Sequence, residues 1–225
     1  MPALLSIVIP TLNAAATLPA TAASLIEGLD SGLVRELVIS DGGSSDATRD
    51  VADELGARFM PGDPGRGGQL ARGANAAKGE WLLFLHADTQ LSPRWAAVVM
   101  QHIQVSQKAG YFRLRFRAEG FRPRFFDAGA NLRSRLGLPY GDQGLLISRE
   151  LYMQVGGYAD IPLMEDVAIV RALRGNLVML GAQALTSAAR YQRGGWYRRG
   201  IRNMWTLTRY RIGTDPAKLA RYYEG

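Results

Sequence analysis

Cysteine is absent from the 225 residues of the chain. This absence excludes disulfides, thiolate zinc sites and a cysteine nucleophile, and it fits a reducing compartment. Uncharged apolar runs of the roughly 20 residues needed to cross a bilayer are absent as well. The uncharged opening, which ends at Glu27, lacks a positive n-region and is interrupted by Pro10, Asn13 and Pro19, so no signal peptide is expected. We expect a cytoplasmic protein, soluble or peripheral on the cytoplasmic membrane.

A linker, a low-complexity run and a fixed-period repeat are also missing, so we expect a single domain. Strands and helices alternate through its first part. Continuous apolar, β-branched runs predict buried parallel strands at residues 4–9, 36–40, 57–60 and 81–85. Helices are expected after them, from Leu18 to Leu29, from Ser45 or Asp46 to Gly56, from Gly67 to Ala77 and from Ser92 onward. This order predicts an α/β fold with a Rossmann-like, mostly parallel sheet.

The pattern changes after residue 110. Residues 111–117 alternate apolar and basic side chains, which predicts a strand that buries Phe112, Leu114 and Phe116. Its arginines then face either water or an anionic surface. We expect a mixed, partly antiparallel continuation of the sheet, followed by C-terminal amphipathic helices. The predicted domain, residues 1–225, therefore divides into 1–107, 108–190 and a tail, 191–225.

The net charge of +7 is concentrated in that tail. Residues 186–225 hold nine Arg and Lys against Asp215 and Glu224, whereas residues 1–185 hold 18 basic and 18 acidic residues. A basic tail attracts diphosphates, acidic lipid head groups or nucleic acid. A helix is expected from Gln192 to Ile212, where tryptophan and leucine lie among arginines. This composition fits a helix on a membrane surface, and it also fits a helix docked on the sheet.

Polar residues follow three of the predicted parallel strands. In an open sheet of this kind, ligands bind beyond the carboxyl ends of the strands, where Thr11, Asp41 and Asp88 are expected. The Asp41 carboxylate can accept hydrogen bonds from a nucleobase or a ribose; alternatively, it only organises the following glycine turn. Asp88, with His86 two residues before it, can hold Mg²⁺ or Mn²⁺ together with substrate phosphates, unless His86 is purely structural.

Two further segments carry charged candidates. The glycine-rich segment 65–72 offers backbone amides with Arg66 and Arg72 for a diphosphate, but it lacks the P-loop arrangement. Glu165 and Asp166 open a predicted helix, where acids are ordinarily favoured by the helix dipole. The turn at Gly156-Gly157 just upstream would deliver them to the ligand edge of the sheet. A carboxylate there can take a proton from an attacking hydroxyl.

Taken in order, these segments resemble a known family. Residues 6–13 (SIVIPTLN), 41–46 (DGGSSD), 79–88 (GEWLLFLHAD) and 155–158 (VGGY), with Glu165-Asp166, are similar to family 2 glycosyltransferases, which have the GT-A fold. The likeness runs from residue 4 to about residue 173. Within that family it resembles a short bacterial branch associated with radical-SAM and selenium-related genes.

The resemblance implies transfer of one sugar from a nucleotide-diphosphate donor, with inversion, by direct displacement. It implies that Asp166 is the base with Glu165 beside it, and that Asp88 with His86 holds a divalent cation, Mg²⁺ or Mn²⁺. The implied nucleotide contacts are Pro10, Thr11, Asn13, Asp41, Gly43, Arg66, Arg72 and His86. The implied acceptor-side residues are Asp142, Gln143 and Trp196. A lipid-linked acceptor would suit the basic, aromatic tail, and nucleic acid is not an expected partner.

Three positions depart from the family pattern. Gly42 stands where a second aspartate is usual, and His86 stands where aspartate is usual, which puts the ribose contact and the identity of the metal in doubt. The QxxRW pattern of processive members is also missing, since Gln192-Arg193-Gly194-Gly195-Trp196 has no arginine before the tryptophan. A single-addition enzyme is therefore expected.

Two other functions fit parts of the sequence. A nucleotidyltransferase uses a similar nucleotide-binding half, but it needs a glycine-rich basic loop after the first strand, and residues 10–13 do not supply one. A non-enzymatic protein that binds anions or nucleic acid through its tail is the other alternative, because a fold alone does not establish activity. Retention of Asp41, Asp88 and Asp166 together argues against a degenerate scaffold.

Overall fold

Eight strands form one sheet in the computed structural model, which describes the backbone of residues 3–224 and the side chains of residues 3–222. The strands are β1 (Leu5–Thr11), β2 (Val34–Asp41), β3 (Arg58–Met60), β4 (Trp81–Phe84), β5 (Thr89–Leu91), β6 (Ala109–Phe116), β7 (Leu145–Ser148) and β8 (Leu177–Thr186). Their order across the sheet is β3-β2-β1-β4-β7-β6-β8-β5.

Helices connect these strands and follow the last one. They are α1 (Leu18–Ala23), α2 (Ile26–Asp30), α3 (Thr48–Glu54), α4 (Arg66–Ala76), α5 (Trp95–Val105), α6 (Phe121–Arg135), α7 (Arg149–Gln154), α8 (Glu165–Ala172), α9 (Ala189–Gly194), α10 (Trp196–Arg211) and α11 (Pro216–Glu224). A 3-10 helix covers Gly141–Gln143. Within the described residues, every helix is too short or too polar to span a lipid bilayer.

The first half of the sheet is parallel. β1 pairs in parallel with β2 and β4, and β2 pairs in parallel with β3. Alternate residues of β1 enter different cores: Ile7 and Ile9 pack in one, and Val8 packs in the other. Because both faces are covered, these strands are apolar throughout, which is why their sequence reads as an unbroken hydrophobic run.

The second half of the sheet is mixed. β7 is antiparallel to β4, with Phe84 opposite Leu145, and β6 is antiparallel to β7 but parallel to β8. β5 closes the edge antiparallel to β8. The predicted fold, a mostly parallel sheet with a mixed continuation, is therefore confirmed. The reversal at β7 brings the start of that strand to the edge where β1, β2 and β4 end.

Four predicted helices differ from the structure. The helix expected from Leu18 to Leu29 is divided into α1 and α2. The helix expected from Ser92 begins at Trp95, because the Ser92 hydroxyl and backbone N–H instead pair with the backbone of Gln183 in β8. The helix expected to begin at Ser45 or Asp46 is capped by Ala47, although the Asp46 carboxylate accepts the N–H of Thr48 at 3.0 Å. The helix expected from Gln192 to Ile212 is broken at Gly195, whose φ is +77°.

Helix α6 covers a stretch of β6 that lacks a neighbouring strand on one side. The Asn131 amide accepts the N–H of Leu114 at 2.9 Å and donates to the Leu114 carbonyl at 2.9 Å. The Asp127 carboxylate accepts the N–H of Phe116 at 2.8 Å. Side chains of α6 thus satisfy backbone groups that a strand would otherwise pair. The sequence analysis did not anticipate this helix.

Replacing Asn131 with alanine is expected to destabilise the protein by about 2–3 kcal/mol, because it leaves the buried N–H and C=O of Leu114 without partners. Urea unfolding followed by circular dichroism measures the change. Leu132→Ala, at the exposed next position of α6, is the control and should cost less than about 0.5 kcal/mol. Equal stability of the Asn131 variant and the native chain would contradict this role.

Candidate active site

The ends of β1 and β2 meet through a side-chain hydrogen bond. Thr11 and Asp41 are register partners, and the Thr11 hydroxyl donates to Asp41 Oδ1 at 2.8 Å. The other donors to Asp41 come from the following turn: the Gly43 N–H at 2.9 Å, the Ser44 N–H at 2.8 Å and the Ser44 hydroxyl at 2.6 Å. Gly43 has φ +87°, a conformation that suits glycine in such a turn.

These bonds determine the charge of Asp41. Burial alone would raise the pKa of its carboxyl, but the hydrogen bonds from Ser44, Thr11 and Gly43 together lower it below its usual value. The carboxylate is therefore ionised, and its oxygens already accept four hydrogen bonds. A nucleobase can bind this carboxylate only if the hydroxyl of Ser44 or Thr11 turns away.

Asn13 joins the loops that follow β1 and β2. Its Oδ1 accepts the N–H of Ser45 at 2.9 Å, and its own N–H donates to the Ser44 hydroxyl at 2.8 Å. Asn13 has φ +51°, a left-handed conformation that asparagine tolerates better than most residues. Pro10 lies within β1, opposite Ser40. The predicted nucleotide contacts Pro10, Thr11, Asn13, Asp41 and Gly43 thus occupy one connected region.

Helix α4 reaches the same region through Gln69 and Arg72. Gln69 is buried and its amide donates to the carbonyls of Thr11 at 2.7 Å and Ser40 at 3.0 Å. Arg72 donates to the Asp41 carbonyl at 2.7 Å. Gln69 thereby ties β1 to β2 at their carboxyl ends. The sequence analysis missed it; its signal is a single amide on the buried face of a helix made mostly of small residues.

The start of α4 also contacts the segment that carries the predicted base. A Cβ at Gly67 would lie 2.1 Å from the Ala159 carbonyl oxygen, so only glycine permits this approach. Arg66 Nε lies 3.6 Å from Glu165 Oε1. The arginine that was predicted to contact the diphosphate therefore also faces the acidic pair. It links the nucleotide side of the site with the side of α8.

His86 and Asp88 follow β4 at the same edge. Burial, together with the charges of Arg66 and Arg190, holds the pKa of His86 well below its usual value, so the ring is neutral. Gly141 packs against this ring, since a Cβ at position 141 would lie 2.9 Å from His86 Nε2. The Asp88 carbonyl accepts a hydrogen bond from Arg117 at 3.0 Å, while its carboxylate has no hydrogen bond or ion pair within residues 3–222.

Asp166 lies across from His86, in the first turn of α8. Its Oδ2 accepts the N–H of Gly141 at 2.9 Å, and its Oδ1 accepts the N–H of Val167 at 2.8 Å. The residue that precedes the acidic pair, Met164, has φ +70°, which is uncommon for a side chain of its size. This conformation starts α8 at Glu165 and directs both acids to the strand ends.

Glu165 is almost fully buried beside Asp166. Burial raises the pKa of Glu165 to about 7, the negative charge of Asp166 adds to the rise, and Arg66 opposes it. Near neutral pH this carboxyl therefore carries a proton for much of the time. A buried neutral acid can donate a hydrogen bond, which an ionised one cannot.

Asp142, in the 3-10 helix, completes the acidic group. Burial raises its pKa to about 6, Arg133 opposes the rise, and the charges of Asp166 and Asp88 add to it. Its Oδ1 is buried and has no hydrogen-bond partner among the described residues. Asp142 borders Asp166, because the N–H of the neighbouring Gly141 donates to Asp166 Oδ2.

Two residues that were predicted to lie on the acceptor side are buried in contacts with the protein. Gln143 is fully buried, donates to the Phe112 carbonyl at 3.0 Å and accepts the Ser134 hydroxyl. Trp196 is 8% exposed and packs against the rings of Phe116, Phe126 and Tyr191. Both are structural here, because their side chains are taken up by protein contacts. Asp142 is the member of the predicted set that borders the other acids.

A metal would need ligands from a substrate. Within the described residues, no group of three or more His, Asp or Glu side chains could hold a metal ion by itself. The site does offer the carboxylate of Asp88 and the neutral ring of His86. Hard cations such as Mg²⁺ and Mn²⁺ are commonly bound by one or two carboxylates plus phosphate oxygens and water. This donor set fits such an ion only in the presence of a phosphate-bearing ligand.

The sheet order, the ligand edge and the acidic group define an α/β protein of the GT-A glycosyltransferase class. The family model described as Glycosyl transferase family 2 matches residues 6–156. The chain belongs to this family. Asp41, His86, Asp88 and Asp142 lie within the matched residues, while Glu165 and Asp166 follow them.

Two mycobacterial proteins are similar in sequence. A PGL/p-HBAD biosynthesis glycosyltransferase of Mycobacterium bovis is 44% identical over 93 residues, which is 38% of this chain and 36% of that protein. A glucosyl-3-phosphoglycerate synthase of Mycobacterium tuberculosis is 37% identical over 93 residues, covering 37% of this chain and 28% of the relative. The chain thus spans about a third of the curated relatives that it matches.

A solved structure supports the fold over a longer stretch. The crystal structure of glucosyl-3-phosphoglycerate synthase from Mycobacterium tuberculosis, in complex with Mn²⁺ and UDP-glucose, superposes with a TM-score of 0.57. The match covers 78% of this chain and 68% of that one at 23% identity. At this identity the likeness establishes the shared fold.

Replacing Asp142 with asparagine is expected to remove part of the pH dependence of stability. The pKa of this carboxyl rises from 3.8 to about 6 on folding, so the native state holds the proton more tightly and its stability falls between about pH 4 and pH 6. Asparagine does not ionise. On going from pH 4 to pH 7, the free energy of unfolding of the variant should therefore rise by about 1–3 kcal/mol relative to that of the native chain.

Urea unfolding at pH 4 and at pH 7 measures this rise. Subtracting the stability change at one pH from that at the other removes any effect of the substitution that does not depend on pH. The exposed Asp30, at the end of α2, provides the control variant Asp30→Asn. A stability difference for Asp142→Asn that is the same at both pH values would show that this carboxyl does not titrate abnormally.

Proposed function

We propose that this chain transfers a single sugar from a nucleotide-diphosphate donor to an acceptor hydroxyl, with inversion at the anomeric carbon and with a divalent cation. The observation that carries the proposal is the convergence of Asp41, Arg72, Asp88 and Asp166 at one edge of the sheet. These groups come from four separate segments, and each has the chemistry that one part of the reaction needs. Motif likeness further supports placing the chain in the radical-SAM-associated branch.

The donor is proposed to be a uridine diphosphate sugar. The superposed synthase is described as a complex with Mn²⁺ and UDP-glucose, which supports testing this donor first. The nucleotide would lie over Pro10, Thr11, Asn13 and Gly43, with Asp41 reading the base. Arg66 and Arg72 would lie near the diphosphate. Arg66 is the first residue of α4, and Arg72 contacts the end of β2 at the Asp41 carbonyl.

Asp166 is proposed as the base. The acceptor hydroxyl gives its proton to an Asp166 carboxylate oxygen while the acceptor oxygen bonds to the anomeric carbon. The bond from that carbon to the diphosphate oxygen breaks, and its electron pair leaves with the diphosphate. Attack on the face opposite the leaving group inverts the configuration. The N–H groups of Gly141 and Val167 hold the carboxylate in place for this transfer.

Asp88 is proposed to hold the divalent cation, with His86 as a second donor. The Asp88 carboxylate has no hydrogen bond or ion pair among the described residues, and its charge, with that of Asp166, adds to the rise that burial causes in the pKa of Asp142. A bound cation would neutralise charge on the departing diphosphate. The choice between Mg²⁺ and Mn²⁺ depends on His86, because imidazole is a better ligand for Mn²⁺ than for Mg²⁺.

The acceptor is proposed to be lipid-linked and to approach along Asp142 and Glu165. Glu165, protonated for much of the time near neutral pH, can donate a hydrogen bond to an acceptor oxygen. We place the reaction at the cytoplasmic face of the membrane. The lack of cysteine and the basic, aromatic C-terminal helices support this location.

Asp166→Asn is expected to lower kcat by about 10² to 10⁴ fold, since the amide cannot accept the proton. Sugar transfer to a lipid extract from UDP-glucose and Mn²⁺ measures the rate. The amide keeps the size of the side chain but can accept only one of the two N–H groups, so the melting temperature is measured as well, and Asp30→Asn on the exposed end of α2 should retain full activity. Full activity of Asp166→Asn at saturating donor and metal would mean that another group is the base.

Donor binding should also depend on the metal. UDP is expected to raise the melting temperature of the native chain more with Mn²⁺ than without it, because a ligand that binds only the folded state stabilises it. Asp88→Asn should lose the Mn²⁺-dependent part and keep the rest. An Asp88 variant that still responds to Mn²⁺ like the native chain would move the cation elsewhere.

A further inference from the structure

Helix α6 turns an apolar stripe toward solvent. Residues that follow each other by three or four positions share one side of a helix, and on α6 these are Phe121, Phe125, Ala128, Leu132 and Leu136. The four large ones are between 55% and 77% exposed. The opposite side of the helix carries Pro123, Asn131 and Ser134, which are buried. The helix is therefore amphipathic, but its orientation is the opposite of the usual one: polar residues lie on the buried side and large apolar residues lie on the exposed side.

Helix α10 repeats this arrangement. Its exposed large side chains also follow one side of the helix, and the stripe continues one residue past its end: Tyr197, Ile201, Met204, Trp205 and Ile212. They are between 56% and 77% exposed. The inner side of α10 buries Trp196, Thr206 and Leu207. Two helices thus present unpartnered apolar faces among the described residues.

The two stripes meet where α6 and α10 begin. Phe126 of α6 contacts the rings of Trp196 and Tyr197 at 5.4 Å and 5.8 Å between centroids. Gly200 allows this approach, because a Cβ there would lie 2.6 Å from the Phe126 ring. Phe125, on the exposed stripe, lies beside Phe126 at 5.7 Å. The rings of Phe125, Phe126 and Tyr197 thus connect the two stripes, which together are named here the α6–α10 face.

Arginines border this face almost without acids. Helix α6 contains four arginines and helix α10 contains five, while the acid in the two helices is Asp127. Asp127 is half-buried and bonded to the N–H of Phe116. Arg122 and Arg124 follow the stripe residue Phe121 at offsets that put them on its two sides. Long arginine side chains beside an apolar stripe can extend to phosphate groups while the apolar residues enter the acyl layer.

We propose that the α6–α10 face docks on an anionic lipid bilayer. Charge complementarity selects this occupant over a second copy of the chain, because a two-fold contact would bring the arginines that border the face against those of the other copy. The apolar stripes select it over nucleic acid, which would be bound through the arginines and would leave leucine and isoleucine in water. The proposal concerns an interaction surface and does not depend on the sugar-transfer reaction.

The inner side of α10 connects this face with the candidate site. Leu207 packs in one cluster with Met164 and Val167, which flank Glu165 and Asp166. The proposed base is thus separated from the lipid surface by about the diameter of one helix, roughly 10 Å. If the proposed function holds, docking by this face would place a membrane-held acceptor close to Asp166.

Vesicle co-sedimentation of the full chain tests the proposal without any sugar chemistry. Binding is expected with phosphatidylcholine vesicles that contain phosphatidylserine, and it should be at least about tenfold weaker with phosphatidylcholine alone. Added salt should weaken binding to the anionic vesicles without abolishing it, because only the charge part is screened. Equal binding to both kinds of vesicle, or none to either, would overturn the proposal.

Two sets of variants locate the contact. Phe121→Gln with Leu132→Gln and Leu136→Gln alters α6, and Ile201→Gln with Met204→Gln and Ile212→Gln alters α10. Each set should weaken vesicle binding at least about tenfold, since it removes the inserted side chains. The matched control replaces the equally exposed Leu29, Val105 and Met153 by glutamine, and it should bind like the native chain. Unchanged binding in both stripe sets would overturn the proposal.

Three controls separate the other occupants. Melting temperatures should be alike for all variants, because the substituted side chains are exposed. Sedimentation velocity should show a monomer; a native dimer that the stripe variants convert to monomer would assign the face to a second copy. The last control is binding of single-stranded RNA. If the native chain and the stripe variants bind RNA equally well and the native chain does not bind vesicles, the α6–α10 face would be assigned to nucleic acid.

Discussion

The antiparallel pairing of β7 with β4 is the constraint on which the site depends. Phe84 lies opposite Leu145, so the residues just before β7 arrive beside the residues just after β4. This pairing puts the 3-10 helix next to His86 and Asp88, and the N–H of Gly141 within reach of Asp166. With a parallel strand in this position, the segment before it would enter from the opposite edge of the sheet. The reversal of one strand thus joins the nucleotide half of the fold to the acidic pair.

That arrangement concentrates negative charge at a cost in stability. Asp142 and Glu165 both have raised pKa values because they are buried near other carboxylates. Arg66 and Arg133 offset part of the repulsion, but neither neutralises it. Such clusters are retained at functional sites where a cation or a proton is expected to bind, because only the ligand relieves the repulsion. The site is therefore marked by carboxylates whose negative charge is only partly neutralised, and not by a complete set of metal ligands.

Much of the fold and part of the site could be predicted from the sequence. The buried parallel strands were predictable because hydrophobic runs such as residues 4–9 need burial on both faces, and Thr11 and Asp41 followed from the strand ends. Gln69 was missed and Gln143 was assigned to the acceptor side, since their partners are backbone groups of distant segments that no local pattern reveals. Trp196 was also assigned to the acceptor side, because the sequence does not show that Phe116 and Tyr191 pack around its ring. The assigned roles of Asp88 and Asp166 stay predictions.

The contact at Gly67 limits how the molecule can open. Because the backbone of α4 lies directly on the carbonyl of Ala159, no flexible side chain lies between these two segments to absorb a relative movement. Closely packed interiors transmit displacement rather than absorb it. Relative movement of α4 and the segment 159–161 is therefore resisted at this contact. Any larger residue at position 67 would act as a wedge, forcing Arg66 and Glu165 apart.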